Sequence, residues 1–258
     1  MRFISRVFIL VLLGCALAGC FPFRRNRTAD QPAPVPVGPA QVQVRWLGHA
    51  AFLVTSSIGI AVVTDPFSPK AIGYQMPSDL RADLVLTSHE NETANFIEPV
   101  GGSPLLLRSR LAVGVTRANG ILFRGVPCGS SRSGEQAGTG VNVAFVWAMD
   151  GVRFCHLGAP MRAPSSDELA QIGPVEVLFL PAGGGLSRAD ADAVIAQLTP
   201  RILVPMAYRT LKATRLGLSG PEAMLAGRPN VTRLSAPTFT VARDALPAEI
   251  ITLVPSVP

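Results

Sequence analysis

Strong metal ligands are scarce in this sequence. Its 258 residues include only three histidines, His49, His89 and His156, and four cysteines. A catalytic zinc site takes at least three nitrogen, oxygen or sulfur ligands from the protein and leaves one position for water. The shortage of these residues weighs against a large metal centre, so no metal cofactor is expected.

Other functional signatures are also missing. No Gly-x-Ser-x-Gly sequence marks a serine nucleophile. The glycines at 183–185 are not followed by the Gly-Lys-Ser/Thr of a phosphate-binding loop, so they indicate a tight turn. The formal net charge is +6, but no basic stretch is interleaved with aromatic residues. The charge therefore does not indicate a nucleic-acid partner, and none is expected.

The N-terminal apolar run is too short to span a bilayer. Arg2 and Arg6 precede apolar residues 7–17, and small residues then lead to Cys20. This order is typical of a secretory signal. The ending Leu-Ala-Gly-Cys resembles a bacterial lipobox, which implies removal of residues 1–19 and attachment of lipid to Cys20. An ordinary signal peptide with an incidental cysteine is the alternative.

Lipid on Cys20 would anchor the protein to a membrane without spanning it. We therefore expect a bacterial cell-envelope protein that faces the periplasm and has the membrane as a partner. Phe21 stands where a retention-type aspartate would hold such a protein in the inner membrane, which favours the outer membrane. Residues 20–40 are rich in proline and predict a semi-extended tether. The three arginines that follow Cys20 closely either contact anionic headgroups or are simply solvated.

Cys128 and Cys155 are the cysteines that remain beyond the signal and the lipidation site. An exported compartment permits a disulfide between them. The sequence does not show whether their Cα atoms come within bridging distance, so two free thiols in apolar surroundings remain the alternative.

Residues 41–258 predict one domain of the α/β class. The chain is 48% hydrophobic and 16% charged, which suits a substantial core. Val42, Val44 and Trp46 alternate with polar residues as in a half-buried strand. Asp150-Gly151 between two apolar runs predicts a hairpin. Helix starts are predicted where a serine precedes an acidic residue by three positions, at Ser165–Glu168, Ser187–Asp190 and Ser219–Glu222. Early hairpins followed by β–α alternation predict sheets flanked by helices.

Six stretches match one family pattern in the same order. They are Trp46–Val54, Val63–Phe67, Ala82–His89, Asp150–Gly158, Val175–Gly184 and Pro200–Tyr208. The sequence thereby resembles the metallo-β-lactamase superfamily, in particular its UlaG-like branch of metal-dependent hydrolases related to ascorbate-phosphate lactonase. The resemblance implies an αββα sandwich of two mixed β-sheets flanked by helices, with a metal site at one edge of the sheets.

Most metal-ligand positions of this family pattern are replaced. The family loop His-x-His-x-Asp-His reads His89-Glu90-Asn91-Glu92-Thr93-Ala94, so His89 alone is retained there. Ala159 and Ala207 stand at the positions of the bridging aspartate and the last histidine. The resemblance gives Asp65 and His49 supporting positions beside the ligands. Alanine has no lone pair, and asparagine and threonine oxygens are poor zinc ligands, so the family's two-metal hydrolysis is expected to be absent.

The function expected is therefore that of a degenerate hydrolase, a binding or scaffold module with a small-molecule or protein ligand in the old cleft. His89 is then a relic of the site. The alternative is an active hydrolase of ester, lactone or phosphoester bonds. It would use one zinc on His89, Cys128 and His156, or metal-free chemistry with Glu92 as base or Cys128 as nucleophile.

Overall fold

Two β-sheets face each other in this protein. The computed structural model describes residues 40–130, 141–213 and 215–258. The predicted signal at 1–19, Cys20 and the tether up to residue 39 lie outside these residues. The predicted fold class, a sandwich of two mixed sheets with flanking helices, is confirmed.

In chain order the strands are β1 Gln41–Gly48, β2 Ala51–Thr55, β3 Ala61–Thr64, β4 Leu84–Thr87, β5 Leu105–Arg108, β6 Gly114–Ala118, β7 Ile121–Pro127, β8 Val143–Met149, β9 Val152–His156, β10 Val177–Pro181, β11 Ile202–Met206, β12 Val231–Arg233, β13 Thr238–Ala242 and β14 Ile251–Val254. The first sheet has six strands in the order β13-β1-β2-β3-β4-β5. The second has eight strands in the order β12-β14-β11-β10-β9-β8-β7-β6.

The helices are short. They are α1 Pro69–Ile72, α2 Ser166–Ile172, α3 Arg188–Leu198 and α4 Glu222–Leu225, with 3₁₀ turns at Ser109–Ala112 and Arg243–Ala245. None of the helices in the described ranges is long and apolar enough to cross a membrane.

The main core fills the space between the sheets. Phe52 of the first sheet meets Phe179 of the second at a ring-centroid distance of 4.3 Å. Trp147 stacks on Phe154 at 5.5 Å within the second sheet. A smaller cluster that includes Leu47, Val63 and Ile72 packs on the other face of the first sheet. Both faces of the central strands are therefore buried, as the apolar run of β4 requires.

Several local predictions are confirmed. Asp150 and Gly151 connect β8 to β9 with positive φ at both residues, as a two-residue hairpin turn requires. Ser165 with Glu168 and Ser187 with Asp190 form capping boxes at the starts of α2 and α3.

The predicted helix start at Ser219 is wrong. α4 begins at Glu222 behind Pro221 and has no side-chain cap. The backbone of Ser219 instead donates to the carbonyl of Gly183 and accepts from the amide of Arg209. Pairing of this segment with the loops after β10 and β11 has overridden a local capping pattern.

Parallel strands bring the predicted site residues to one end of the sandwich. β3, β4 and β5 run parallel to one another, as do β9, β10 and β11. Asp65 follows β3, His89 follows β4, Ala159 follows β9 and Ala207 follows β11. Loops at the carboxyl ends of parallel strands meet at one edge, which is where sites form in such sheets.

Gly183 is a close-packing point between two of these loops, and its replacement tests the loop geometry. An added Cβ would lie 2.5 Å from the carbonyl oxygen of Ala207 and 2.5 Å from the Cα of Tyr208, which are backbone atoms with little room to move. We expect Gly183→Ala to lower the free energy of unfolding by about 2 kcal/mol in urea titrations. Gly101→Ala is the control, because Gly101 also lacks a positive φ and its Cβ would lie at an ordinary contact distance of 3.4 Å from the nearest atom, the Leu80 carbonyl oxygen. An equal loss in both variants would contradict the packing argument.

Candidate functional site

The loop after β4 is held by a chain of side-chain hydrogen bonds. His89 Nδ1 lies 2.8 Å from Ser88 Oγ, and His89 Nε2 lies 3.1 Å from Thr93 Oγ1. Asn91 Oδ1 accepts from the backbone amide of Thr93 at 2.8 Å and from its hydroxyl at 2.5 Å. Both ring nitrogens of the retained histidine are thus engaged by hydroxyl groups of the protein.

Asp65 lies at the buried end of this chain. Its Oδ1 accepts from the Ser88 amide at 2.7 Å, and its Oδ2 lies 2.6 Å from Ser88 Oγ. Burial raises the pKa of the Asp65 carboxyl to about 6, against the opposing effects of His89 and of the Ser88 hydrogen bonds. Asp65 therefore braces the loop, as the resemblance implied.

The directions of these hydrogen bonds define where protons reside. The Asn91 oxygen can only accept, so it takes the single hydroxyl proton of Thr93, and His89 Nε2 must donate to Thr93. Ser88 also has one hydroxyl proton for two neighbours. If Ser88 donates its proton to Asp65, His89 Nδ1 must donate to Ser88, and His89 is then doubly protonated. If Ser88 donates to His89, Asp65 must donate to Ser88 and is then the protonated acid. Asp65 and His89 therefore share one proton through Ser88.

The other two histidines are buried and neutral. Burial lowers the pKa of His49 and of His156 to about 4 each. His156 Nε2 donates to the carbonyl of Ala50 at 2.9 Å. His156 Nδ1 lies 3.9 Å from Asp65 Oδ2, which is too long for a hydrogen bond. Because burial favours the neutral form of both groups, this contact is not an ion pair.

Three site residues that are not glycine adopt positive φ. The values are 47° for His49, 37° for Asp65 and 50° for Ala207. The His49 carbonyl accepts from Trp46 Nε1 at 3.0 Å and from the Ala207 amide at 3.0 Å, which joins the loops after β1 and β11. Strained backbone of this kind clusters at functional sites in proteins.

The positions that the resemblance assigns to the other metal ligands lie at this same end but carry no strong ligand groups. Ala94 is fully buried and Ala207 nearly so. The Ala159 amide donates to Asn142 Oδ1 at 2.7 Å. Asn91 and Thr93 direct their oxygens to each other and to His89. Within the described part of the chain, no group of three histidine, cysteine or acidic side chains is arranged to hold a metal.

The candidate catalytic residues are dispersed. Cys128 is a buried free thiol whose pKa is raised to about 12, chiefly by burial and also by Glu168, so it is protonated and unreactive at neutral pH. Glu92 is exposed, with its backbone carbonyl bonded to the Ser68 amide at 2.7 Å. Cys155 is also a free buried thiol, so the disulfide alternative is not realised.

Asn142 is an organising residue that the sequence patterns miss. It is buried directly before β8, and its Nδ2 donates to the carbonyls of Cys128 at 2.7 Å and Leu157 at 2.9 Å. With the Ala159 contact, one side chain makes three hydrogen bonds that join the loops after β7 and β9. The signal in the sequence is an asparagine at the head of a strongly apolar strand, where a polar group needs buried partners.

A zinc ion does not fit the residues present. His89 offers no free lone pair, since Nε2 carries a proton toward Thr93 and Nδ1 faces Ser88. His156 is directed to Ala50, and the Cys128 thiol holds its proton. Zinc needs deprotonated ligands that converge on one point at about 2.0–2.3 Å. The donor set lacks that convergence.

A cleft opens beside the last replaced position. Its volume is about 640 Å³, and Tyr208, which follows Ala207, forms part of its wall. Arg209, Arg233 and Glu222 also line it. The apolar side chain of Leu211 at its wall is 98% exposed.

Comparison with known proteins places these features in a family. A model of the beta-lactamase superfamily domain matches residues 43–207. A metal-dependent hydrolase of Thermococcus onnurineus is 29% identical over 197 residues, covering 66% of this chain and 85% of the relative. A metal-dependent hydrolase of Archaeoglobus fulgidus is 27% identical over 198 residues, covering 66% and 84%.

Solved structures agree with this assignment. A protein of Thermotoga maritima, provisionally described as a Zn-dependent hydrolase of the metallo-β-lactamase superfamily, has a TM-score of 0.67 at 26% identity, covering 84% of this chain and 100% of its own. A protein of Parabacteroides distasonis, provisionally described as a metal-dependent hydrolase, has a TM-score of 0.58 at 14% identity, covering 85% and 94%, and shares the fold.

Removing the Asn142 side chain tests its organising role. Asn142→Ala leaves two carbonyls and one amide without partners in a buried place, so we expect a loss of about 3 kcal/mol in the free energy of unfolding. Asn95→Ala is the control, because Asn95 makes one partly exposed contact with Glu90 at 3.0 Å, and its loss should be below about 1 kcal/mol. Similar losses for the two variants in urea titrations would contradict the assignment.

The buried histidines predict an acid-sensitive fold. The pKa of His156 is about 4 in the folded protein against an ordinary 6.5, so between these values the unfolded chain binds more protons. The contribution of His156 is complete above pH 6.5 and is lost as the pH falls toward 4, by about 3 kcal/mol. His49 acts in the same direction, whereas Asp65, with its raised pKa, stabilises the fold below about pH 4 and loses this effect toward pH 6.

His156→Gln isolates one of these contributions. Glutamine retains a donor for the Ala50 carbonyl but does not titrate. We expect the free energy of unfolding of this variant to fall less steeply between pH 6.5 and 4 than that of the native chain, as measured by urea titration at a series of pH values. An unchanged slope would show that His156 is not the group responsible.

Proposed function

The chain belongs to the metallo-β-lactamase superfamily, and on that premise we propose that it is a degenerate relative of the metal-dependent hydrolases that serves as an envelope binding protein. We place it in the UlaG-like branch. The observation that carries the proposal is the pair of hydroxyls on His89, since Ser88 and Thr93 engage both ring nitrogens of the retained ligand.

Asn91 and Thr93, which stand at two of the ligand positions, hold the loop by hydrogen bonds where the family would use a metal. Asn91 orients Thr93 through two hydrogen bonds, and Thr93 then receives the Nε2 proton of His89. The loop keeps a defined shape through side chains of its own. A loop that merely lost its ligands would leave polar groups unpaired at a cost of about 1–3 kcal/mol each.

We propose the cleft beside Tyr208 as the ligand site. Arg209 and Arg233 outnumber Glu222 along its walls, which favours a ligand with an acidic group. Leu211 and Leu234 supply apolar contact for the rest of that ligand. A volume of about 640 Å³ suits a small molecule or a short peptide end.

The location remains the one that the sequence predicts. We propose that residues 1–19 are removed, that Cys20 carries lipid, and that residues 20–40 tether the domain to the periplasmic face of the bacterial envelope, with the outer membrane favoured. The support is the lipobox-like sequence before Cys20.

Metal content tests the proposal, with a restored variant as the matched comparison. The native protein is produced in cells grown with added zinc and purified without a histidine tag. We expect elemental analysis to find far less than one zinc per chain. A variant with all five positions restored, Asn91→His, Thr93→Asp, Ala94→His, Ala159→Asp and Ala207→His, should retain zinc, because the backbone that carries these positions is still assembled at one end of the sandwich.

Stoichiometric zinc in the native protein that is lost in His89→Ala would contradict the proposal and favour an active enzyme.

That alternative has specific support, because the relatives are named as hydrolases and His89 is partly exposed and linked through Ser88 to buried Asp65. In that alternative Thr93 turns away from His89 and the ring loses its Nε2 proton, which leaves this nitrogen free to act as a general base without metal. The metal-free form of the alternative predicts ester, lactone or phosphoester hydrolysis that survives chelators and is lost in His89→Gln.

A further inference from the structure

The β6–β7 hairpin at the edge of the eight-stranded sheet has an outer face of mixed character. Val115 lies opposite Arg124, and Arg117 lies opposite Leu122. Residues directly opposite in an antiparallel pair project to the same face. Val115 is 56% exposed and Leu122 is 47% exposed, whereas the alternate residue Phe123 is buried in the core. The outward side chains of this hairpin are therefore two apolar residues and two arginines.

The exposed apolar row continues into the preceding 3₁₀ turn. Leu111 is 91% exposed, and Val113, which bridges to Gly125 of β7, is 47% exposed. We use the name ribbon face for the surface formed by Leu111, Val113, Val115, Arg117, Leu122 and Arg124. Exposed apolar side chains that are grouped along one hairpin, unlike scattered ones, make this face a candidate interaction surface.

The charged residues of the ribbon face itself are both arginines. No aspartate or glutamate occurs between Glu98 and Glu135 in the sequence. Among the described residues, Arg117 and Arg124 have no carboxylate within 4.0 Å, whereas nearby Arg108 is paired with Glu90 at 2.5 Å. The surface thus combines an apolar row with arginines that lack acidic partners.

We propose that the ribbon face docks on an anionic phospholipid bilayer. Arginines attract acidic headgroups, while leucine and valine side chains between them enter the boundary between headgroups and acyl chains. The long stem of arginine also contacts the apolar boundary while its guanidinium stays with phosphate. The chemistry of the partner is therefore negative at its surface and apolar just beneath it.

A second copy of the chain fits the ribbon face less well. β6 is an edge strand, so its unpaired backbone groups are open to another strand. Edge pairing of two copies would place Arg117 of each β6 on adjacent strands without an acidic partner, and like charges that face each other across strands are destabilising. Charge complementarity therefore favours the lipid surface.

This inference goes beyond the proposed function. A lipid on Cys20 would hold the protein near a membrane but would not orient the domain, whereas docking of the ribbon face fixes which side contacts the bilayer. It does not depend on the anchor, because the ribbon face belongs to the folded domain. The two are tested separately when the domain is studied without the lipid.

Vesicle binding by the unlipidated domain tests the inference. The described residues from 40 to 258 contain both hydrophobic cores, so a chain of residues 36–258 is expected to fold by itself. We expect it to sediment with vesicles of phosphatidylcholine and phosphatidylglycerol, to bind pure phosphatidylcholine vesicles weakly, and to lose binding as salt is raised. Arg117→Glu/Arg124→Glu should weaken binding by about tenfold or more.

Two further variants complete the test. Val115→Ser/Leu122→Ser should weaken binding several-fold without changing the charge, since the apolar contact is lost. Arg81→Glu/Arg201→Glu reverses two exposed arginines outside both the ribbon face and the cleft beside Tyr208, and should change binding less than twofold. The inference would be overturned if the domain did not bind anionic vesicles, or if the two arginine variants lost equal amounts of vesicle binding. It would also be overturned if the serine variant bound as well as the native domain. Self-association in sedimentation equilibrium that the ribbon variants abolish would overturn it in favour of a second copy.

Discussion

The contact between Asp65 and Ser88 is the constraint on which the rest of the site depends. The carboxylate meets both the amide and the hydroxyl of Ser88, and the Asp65 amide donates to the Leu86 carbonyl at 2.8 Å, so the ends of β3 and β4 are joined inside the core. The loop after β9 then packs on Ser88, because a Cβ at Gly158 would lie 2.7 Å from the Ser88 Cβ. A carboxyl group in so buried a place is stable only while these partners remain.

This constraint explains why the frame of the site is stable without a metal. Asp65, Ser88 and Asn142 bond mostly to backbone or to each other, and none of these contacts needs a metal. Ala159 and Ala207, at positions that the resemblance assigns to metal ligands, lie beside this frame, and their side chains add no polar contact to it. A shared fold does not fix activity, so membership of a superfamily with metal-dependent hydrolases is compatible with the proposed binding role.

Much of the frame is predictable from the sequence, because it rests on strongly patterned elements. The buried run of β4, the Asp150-Gly151 turn and two capping boxes each carry a local signal that the structure follows. β7 gives a weaker signal, since exposed Leu122 interrupts the alternation of polar and apolar residues. The asparagine at the head of β8 is a local signal for a buried polar group, but it does not identify the partners of Asn142, which lie 14 to 17 positions away. The proton shared by Asp65 and His89 depends on hydroxyl directions and has no local signal. At helix α4 a local signal is present but misleading. The capping pattern at Ser219 predicts a helix start there, whereas Ser219 pairs with the loops after β10 and β11.

Ala207 holds a backbone conformation that is unfavourable for its side chain. Its φ of 50° costs an alanine about 1–2 kcal/mol that a glycine would avoid. The Ala207 amide donates to the carbonyl of His49, so the loop after β1 holds this conformation in place. Tyr208 follows directly and forms part of the cleft wall, so the same contact fixes where that wall begins. The shape of the cleft at this point is therefore set by backbone contacts, whatever side chain occupies position 207.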